Sequence, residues 1–215
     1  WGNTAGVSWF PRGTTGLSSI STDYAPTIVP GGDVGTLSGA GYIQFPGVDE
    51  RLVTNANVGS QGSSESMHMF GVIYIDTWRV YGQILNTYGG GATHLWMMGS
   101  DASSAFIHPA CDGAPYGQTD IEIGEWFYYN TYWADGAYVA YVQVNNGTQE
   151  TASGNFGHSN ANSPGWSGHL DLMASEHNGG YVHARVAEQI CYSAKQTGSN
   201  LTDIEDYING QYGLW

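Results

Sequence analysis

A chain of 215 residues, 41% hydrophobic and 13% aromatic, carries enough apolar surface for one well-filled core and too much for a disordered coil. Five basic residues against nineteen acidic ones leave a formal charge of −14, which repels phosphate backbones and anionic lipid headgroups. The charge therefore argues against nucleic acid, anionic membrane surfaces and, without a bridging cation, polyanionic polysaccharides as partners, and no membrane insertion is expected. The low charged fraction of 11%, the 32 glycines and the lack of any apolar run near the roughly 18 residues of a membrane span fit an all-β domain found outside cells. The opening at Trp1, with no Met and no signal-like segment, reads as a mature or trimmed product.

Residues 1–40 are rich in Gly, Ser, Thr and Pro and form an arm with small apolar islands at VSWF and PTIV. Such an arm either wraps over its own domain as irregular structure or adds a strand to a neighbour's open sheet edge. From Gly41 onward, ten short β-rich runs follow, among them YIQF, MHMFGVIYID, VYGQILNTY, THLWMM, DIEI, EWFYYNTYW, AYVAYVQV and YVHARVAEQICYSA. Runs at this spacing predict a two-sheet sandwich. Asn145-Asn146-Gly147 and Asp135-Gly136 are hairpin signals, so residues 125–152 read as a three-stranded meander. Only the end is helical: Leu201, Ile204, Ile208 and Tyr212 keep helical spacing, Thr202 and Glu205 can form a capping box, and Gly213 stands where a helix stops.

Several residues carry candidate chemistry. In DIEIGEW, Asp120, Glu122 and Glu125 lie within six positions; on one extended strand the first two would sit about 7 Å apart, near the spacing of a glycosidase pair. The plain alternative is solvated acids at a strand edge. Cys111 and Cys191 are either two buried thiols or one disulfide closing a long loop. The sequons at Asn146 and Asn200 could carry glycans, though a chain so rich in Asn, Ser and Thr shows one or two by chance. Seven histidines include no zinc spacing, and His108 beside Cys111 lacks an activating context for a nucleophile. In EWFYYNTYW, alternation places Trp126, Tyr128, Asn130 and Tyr132 on one face and Phe127, Tyr129, Thr131 and Trp133 on the other. One face must be core; the other, with Tyr129, Trp133 and Trp78, Trp96 or Trp166 as candidates, could stack the apolar faces of sugar rings, unless these aromatics fill the sandwich layers or a subunit interface.

YIQFPGVDERLV (42–53), GEWFYYNTYWADGAYVAYVQVNNGT (124–148) and HARVAEQICYSAKQTGSNLTDIEDYINGQYGL (183–214) resemble the opening, central and closing segments of concanavalin A-like, laminin-G-like jelly-roll domains, with the Tyr-Gly-Leu ending of microbial and phage members. The resemblance spans residues 41–214 and implies an antiparallel jelly-roll sandwich at 41–215 with one C-terminal helix and an irregular arm at 1–40. It also places Gly124 and Trp126 at a strand start, which breaks the three acids apart and buries Trp126. Laminarinase-type relatives carry Glu-x-Asp-x-x-Glu, whereas this chain has Asp120-x-Glu122-x-x-Glu125, with the first two types exchanged. The resemblance further suggests a Ca²⁺ near Asp49, Glu50 and Glu188, with Asp101 and Asp112 as weaker ligands; a turn cap is the equal alternative for Asp49.

Three functions follow from these features, the first being the reading adopted and the other two its alternatives. The first is a non-catalytic extracellular or virion-surface structural protein that assembles into an oligomer or filament through its jelly roll and arm, with glycan binding as an accompaniment. The second is a lectin-like carbohydrate-binding module. A laminarinase-type glycoside hydrolase, resting on the three carboxylates alone, is the third.

Overall fold

The computed structural model describes residues 6–8, 17–18, 27–29, 41–47, 52–54, 66–77, 82–88, 96–99, 105–107, 109–111, 114–115, 119–134, 139–153, 169–173, 182–192 and 194–215. In chain order the first strands are β1 (Gly6–Ser8), β2 (Leu17–Ser18), β3 (Thr27–Val29), β4 (Tyr42–Pro46), β5 (Leu52–Thr54) and β6 (Ser66–Thr77). Next come β7 (Gly82–Gln83), β8 (Leu85–Tyr88), β9 (Trp96–Gly99), β10 (Phe106–Ile107), β11 (Pro109–Cys111), β12 (Ala114–Pro115) and β13 (Thr119–Asp120). The last are β14 (Trp126–Ala134), β15 (Val139–Val144), β16 (Glu150–Ser153), β17 (His169–Leu172) and β18 (His183–Tyr192), followed by helix α1 (Ser199–Tyr212).

One eight-stranded sheet runs β16-β15-β14-β6-β18-β4-β3, with β1 also paired to β18. Three smaller sheets, β10-β13, β12-β11-β9-β7 and β2-β5-β17-β8, supply the other layer. Alternation along β6 explains how the large sheet serves two cores. Met69, Ile73 and Ile75 face inward with Phe45, Phe127, Tyr129 and Val142, and pack against Ile84, Ile107, Ile121 and Leu172 of the smaller sheets and their connections. Phe70 and Val72 point outward with Tyr128 and are covered by α1 through Ile208 and Tyr212. Each of these buried helix side chains contributes roughly 1.5–3 kcal/mol of apolar burial. The chain is an all-β sandwich with one short helix laid on its outer face.

A β-bulge decides what that outer face contains. In the β18–β6 ladder Val186 pairs with Ile73 and Glu188 with Val72, leaving Ala187 as an extra residue. Side-chain parity therefore flips: Ala184 and Val186 face the inner core before the bulge, Cys191 faces it afterwards, and Ala187, Ile190 and Tyr192 join the helix side. Glu188 is delivered to the same side.

Local differences from the sequence reading have physical causes. DIEI forms strand only at Thr119–Asp120, because Gly124 takes φ 86° and donates its N–H to the Ile75 carbonyl at 3.0 Å, turning the chain into β14. The expected meander is β14-β15-β16. Its second turn places positive φ at Asn145 (51°), whose side-chain oxygen accepts the Tyr128 N–H at 2.9 Å and extends the ladder. The first turn, at Asp135-Gly136, lies outside the described residues. Helix α1 is capped at Gly198, earlier than a Thr202–Glu205 capping box requires. Thr202 is already helical and donates its hydroxyl to the Gly198 carbonyl at 3.3 Å, so the box does not form. Gly213 ends the helix in the left-handed conformation, as expected. Within the arm, three segments are regular rather than irregular: β1, β2 and β3 pair with β18, β5 and β4 of the same chain.

Candidate functional site

The three carboxylates of DIEIGEW do not converge. Asp120, Glu122 and Glu125 are all exposed, and buried Ile121 and the turn at Gly124 separate them onto different short segments. Glycoside hydrolysis needs one carboxyl group shielded enough to stay protonated beside an ionised partner; this turn offers no such shielding. Glu122→Gln and Glu125→Gln are expected to change unfolding free energy by less than about 0.5 kcal/mol, as surface substitutions do. A larger loss in a denaturant titration would show a partner for these acids.

The other predicted residues are scattered. Tyr129 is fully buried, and its hydroxyl donates to Gln189 Oε1, so it is a core residue and cannot stack a sugar. Trp126 is only half-buried, packed edge-on against Tyr42 and Tyr74. The Arg185 guanidinium lies 4.4 Å from the Tyr74 ring centroid while bound to Asp76 at 2.5 Å, covering that aromatic face. Trp78, Trp166, Asp49, Glu50, Asp101, Asp112 and His108 lie outside the described residues, as do the side chains of Trp96, Trp133 and Cys111. Cys191 is buried, with Gln189 Nε2 at 3.7 Å from its sulfur. Asn146 is exposed in the β15–β16 turn, and Asn200 is exposed in the first turn of α1.

Of the three calcium candidates, Glu188 is the one that falls among the described residues. It is fully buried beneath α1, where Tyr212 and Tyr207 donate hydroxyls to its Oε2 at 2.9 and 3.3 Å, and Oε1 has no hydrogen-bond partner among the described residues. A calcium ion wants six to eight oxygens. Among the described residues no three His, Cys, Asp or Glu side chains are placed to hold a metal. Burial instead pushes the Glu188 carboxyl up to about 8, against the opposing pull of the Tyr212 and Tyr207 hydroxyls.

A second polar cluster lies nearby. The Gln196 backbone N–H donates to His68 Nδ1 at 2.8 Å, which puts the neutral ring's proton on Nε2, where Asn130 Oδ1 accepts at 2.7 Å and the Tyr141 oxygen lies at 2.9 Å. Burial lowers this imidazole to about 4; the Asn130 bond opposes that shift and the Lys195 charge adds to it. The two groups bias stability in opposite directions. His68 favours the fold fully above about pH 6.5 and loses that contribution as pH falls toward 4. Glu188 favours it fully below about pH 4.5 and loses that contribution as pH rises toward 8. Thermal stability should therefore change little between pH 4.5 and 6.5 and decline from 6.5 to 8. Glu188→Gln should remove most of that upper decline; an identical decline in the variant would contradict the assignment.

Beside this polar layer an open groove of about 460 Å³ runs between α1 and the end of β18. It is lined by the aromatic Tyr192 and Tyr207, the apolar Ile190 and Ile204, and the polar Gln196, Asn200 and Asp203. Local geometry holds each wall. Tyr192 meets Phe70 edge-on at 6.0 Å, Tyr207 is tied to Glu188, and Gln196 is fixed through its backbone by His68. Aromatic faces beside amides and a carboxylate are the side chains that bind polyhydroxylated rings, since C–H faces stack and hydroxyls both donate and accept. The sequence reading missed this set, though a signal was present. Asn200, Asp203 and Tyr207 lie at i, i+3 and i+7, one helix face beside the apolar stripe of Leu201, Ile204 and Ile208.

No protein-family model and no curated protein sequence matches the chain. Its fold does match solved structures. A GH54 α-L-arabinofuranosidase superposes with a TM-score of 0.63 at 13% identity, over 89% of this chain and 44% of that one. A Trypanosoma rangeli sialidase gives 0.60 at 17% identity, over 95% and 33%, and the binding domain of botulinum neurotoxin serotype D/C gives 0.55 at 11%, over 88% and 49%. The chain spans less than half the length of each of these proteins. At such identities the shared property is the all-β fold. Among the described residues no helix is long and apolar enough to cross a membrane.

Proposed function

We propose that this chain is a non-catalytic, lectin-like carbohydrate-binding module of concanavalin A-like jelly-roll type, acting outside the cell or on a virion surface. The observation that carries the reading is the groove between α1 and β18, with two tyrosines, two amides and a carboxylate on a rigid sheet-and-helix frame. The dispersed, exposed positions of Asp120, Glu122 and Glu125 favour binding over hydrolysis. Support also comes from the company the fold keeps: solved structures that share it are named as glycosidases, and one title ties botulinum neurotoxin type C to two ganglioside molecules.

Assembly through a donated arm takes second place. The described arm segments β1, β2 and β3 already satisfy their ladders within the chain, so donation would first have to open three pairings. A glycan array read with the wild type and with Tyr207→Ala tests the binding reading. Signal on defined oligosaccharides that the substitution abolishes supports it, whereas an array with no signal removes it. Hydrolysis of any bound glycan that Glu122→Gln eliminates would overturn the non-catalytic assignment.

A further inference from the structure

We infer that the α1–β18 groove selects neutral sugars and turns away those bearing a carboxylate, such as sialic or uronic acids. The inference rests on the glycan-binding reading and narrows its ligand class.

The argument is one of charge placement. Among the described residues, Asp203 is the one charged group lining the groove. Helix α1 carries Asp203, Glu205 and Asp206 and no lysine or arginine, so its side chains add net negative charge, opposed only by the partial positive charge of its N-terminal N–H groups. A site for an anionic sugar needs a cation or a set of converging N–H donors. Two of the chain's five basic residues are described, and both are engaged elsewhere on the outer face. Arg185 is bound to Asp76 by two hydrogen bonds, at 2.5 and 3.2 Å. Lys195 adjoins Gln196 in sequence, but its ammonium lies 4.9 and 5.3 Å from the ring centroids of Tyr132 and Tyr141. Those rings belong to β14 and β15, and β6 stands between them and β18.

What the groove does present suits hydroxyl groups. Asp203 can accept from two hydroxyls, and the Gln196 and Asn200 amides can each donate and accept. Tyr192 and Tyr207 add aromatic surface for a ring's C–H face. The volume lies within the roughly 300–1,000 Å³ of small-ligand clefts. A carboxylate placed there would face Asp203, with no lysine or arginine among the described residues lining the groove to offset it.

The test uses the full chain made in a host that does not attach N-glycans, because a sugar on Asn200 would itself fill the groove. Oligosaccharides ending in glucose, galactose, mannose or N-acetylglucosamine are titrated beside their sialylated or uronate-bearing counterparts at low ionic strength. Binding of a neutral ligand should exceed that of its acidic counterpart at least about tenfold, equivalent to roughly 1.4 kcal/mol. The ratio should narrow in Asp203→Asn and at high salt, where screening weakens the repulsion. Equal or tighter binding of the acidic sugar would overturn the selectivity while leaving a glycan-binding module intact. Neutral binding that survives unchanged in both Asn200→Ala and Tyr207→Ala would place the ligand outside the groove and overturn the inference alone. Failure of every sugar to bind would overturn it together with the glycan reading.

Discussion

Gly71→Ala should lower the unfolding free energy by about 3 kcal/mol, at the upper end of the usual cost of overpacking a core. In a domain of this size that is a fall of roughly 6–12 °C in melting temperature. Gly71 lies mid-β6, opposite Tyr129 of β14 and Gln189 of β18. The Tyr129 ring crosses β6 over this missing side chain to reach the Gln189 side-chain oxygen Oε1. A β-carbon at position 71 would sit 2.5 Å from ring atom Cε1, 2.6 Å from Cζ and 2.7 Å from the hydroxyl. The ring is fully buried and has nowhere to retreat without breaking that bond. Denaturant melts of Gly71→Ala, Tyr129→Leu and the double variant form a cycle that isolates the clash. The alanine should cost far less in the Tyr129→Leu background than beside the native tyrosine; equal costs in both backgrounds would rule out the steric account.

Tyr212→Ala is expected to cost about 3–5 kcal/mol, the range for deleting a large buried aromatic side chain. The ring packs with Ile208, Phe70 and Tyr128, and its hydroxyl is the shorter of the two donors to Glu188. Tyr212→Phe separates these contributions. It keeps the packing and removes one hydrogen bond to a buried carboxyl, for an expected loss of about 1.5–3 kcal/mol. Protease sensitivity of residues 199–215 should rise in the alanine variant as α1 leaves the sheet. A denaturation midpoint unchanged by Tyr212→Ala would mean that the helix is not held through this ring.

Local pattern made the sandwich readable and left its chemistry hidden. Alternation in MHMFGVIYID and EWFYYNTYW marks strands whichever face is buried, and the stripe Leu201, Ile204, Ile208 reports a helix that covers something. What the helix covers depends on Ala187, an extra residue in the ladder that leaves no mark in composition or periodicity. Without it, Glu188 would be assigned to the inner core and Cys191 to the helix side. The misreading of Tyr129 has the same origin, since alternation separates the two faces of β14 but cannot tell that both are covered, one by small sheets and the other by α1. DIEIGEW misleads for a simpler reason. Its spacing resembles a catalytic strand only if the chain stays extended, and Gly124 turns it. The groove joins residues of β18 to residues of α1, and its legible half was the helix face of Asn200, Asp203 and Tyr207.

The position of β18 also governs when the fold can form. This strand comes last in sequence yet lies inside the large sheet, with β6 on one edge and β4 and β1 on the other. Until residues 183–192 emerge from the ribosome, β6 on one side and the β3–β4 pair on the other have unfilled edges and no common partner. Synthesis at about 5–20 residues per second leaves those edges waiting for several seconds while the residues between β6 and β18 are made. Completion of the sheet thus waits for residues 183–192 and is built on long-range pairings, which are slow to form and open to edge-to-edge aggregation while they wait. A nascent chain that stalls before β18 is the form of this protein most in need of a chaperone.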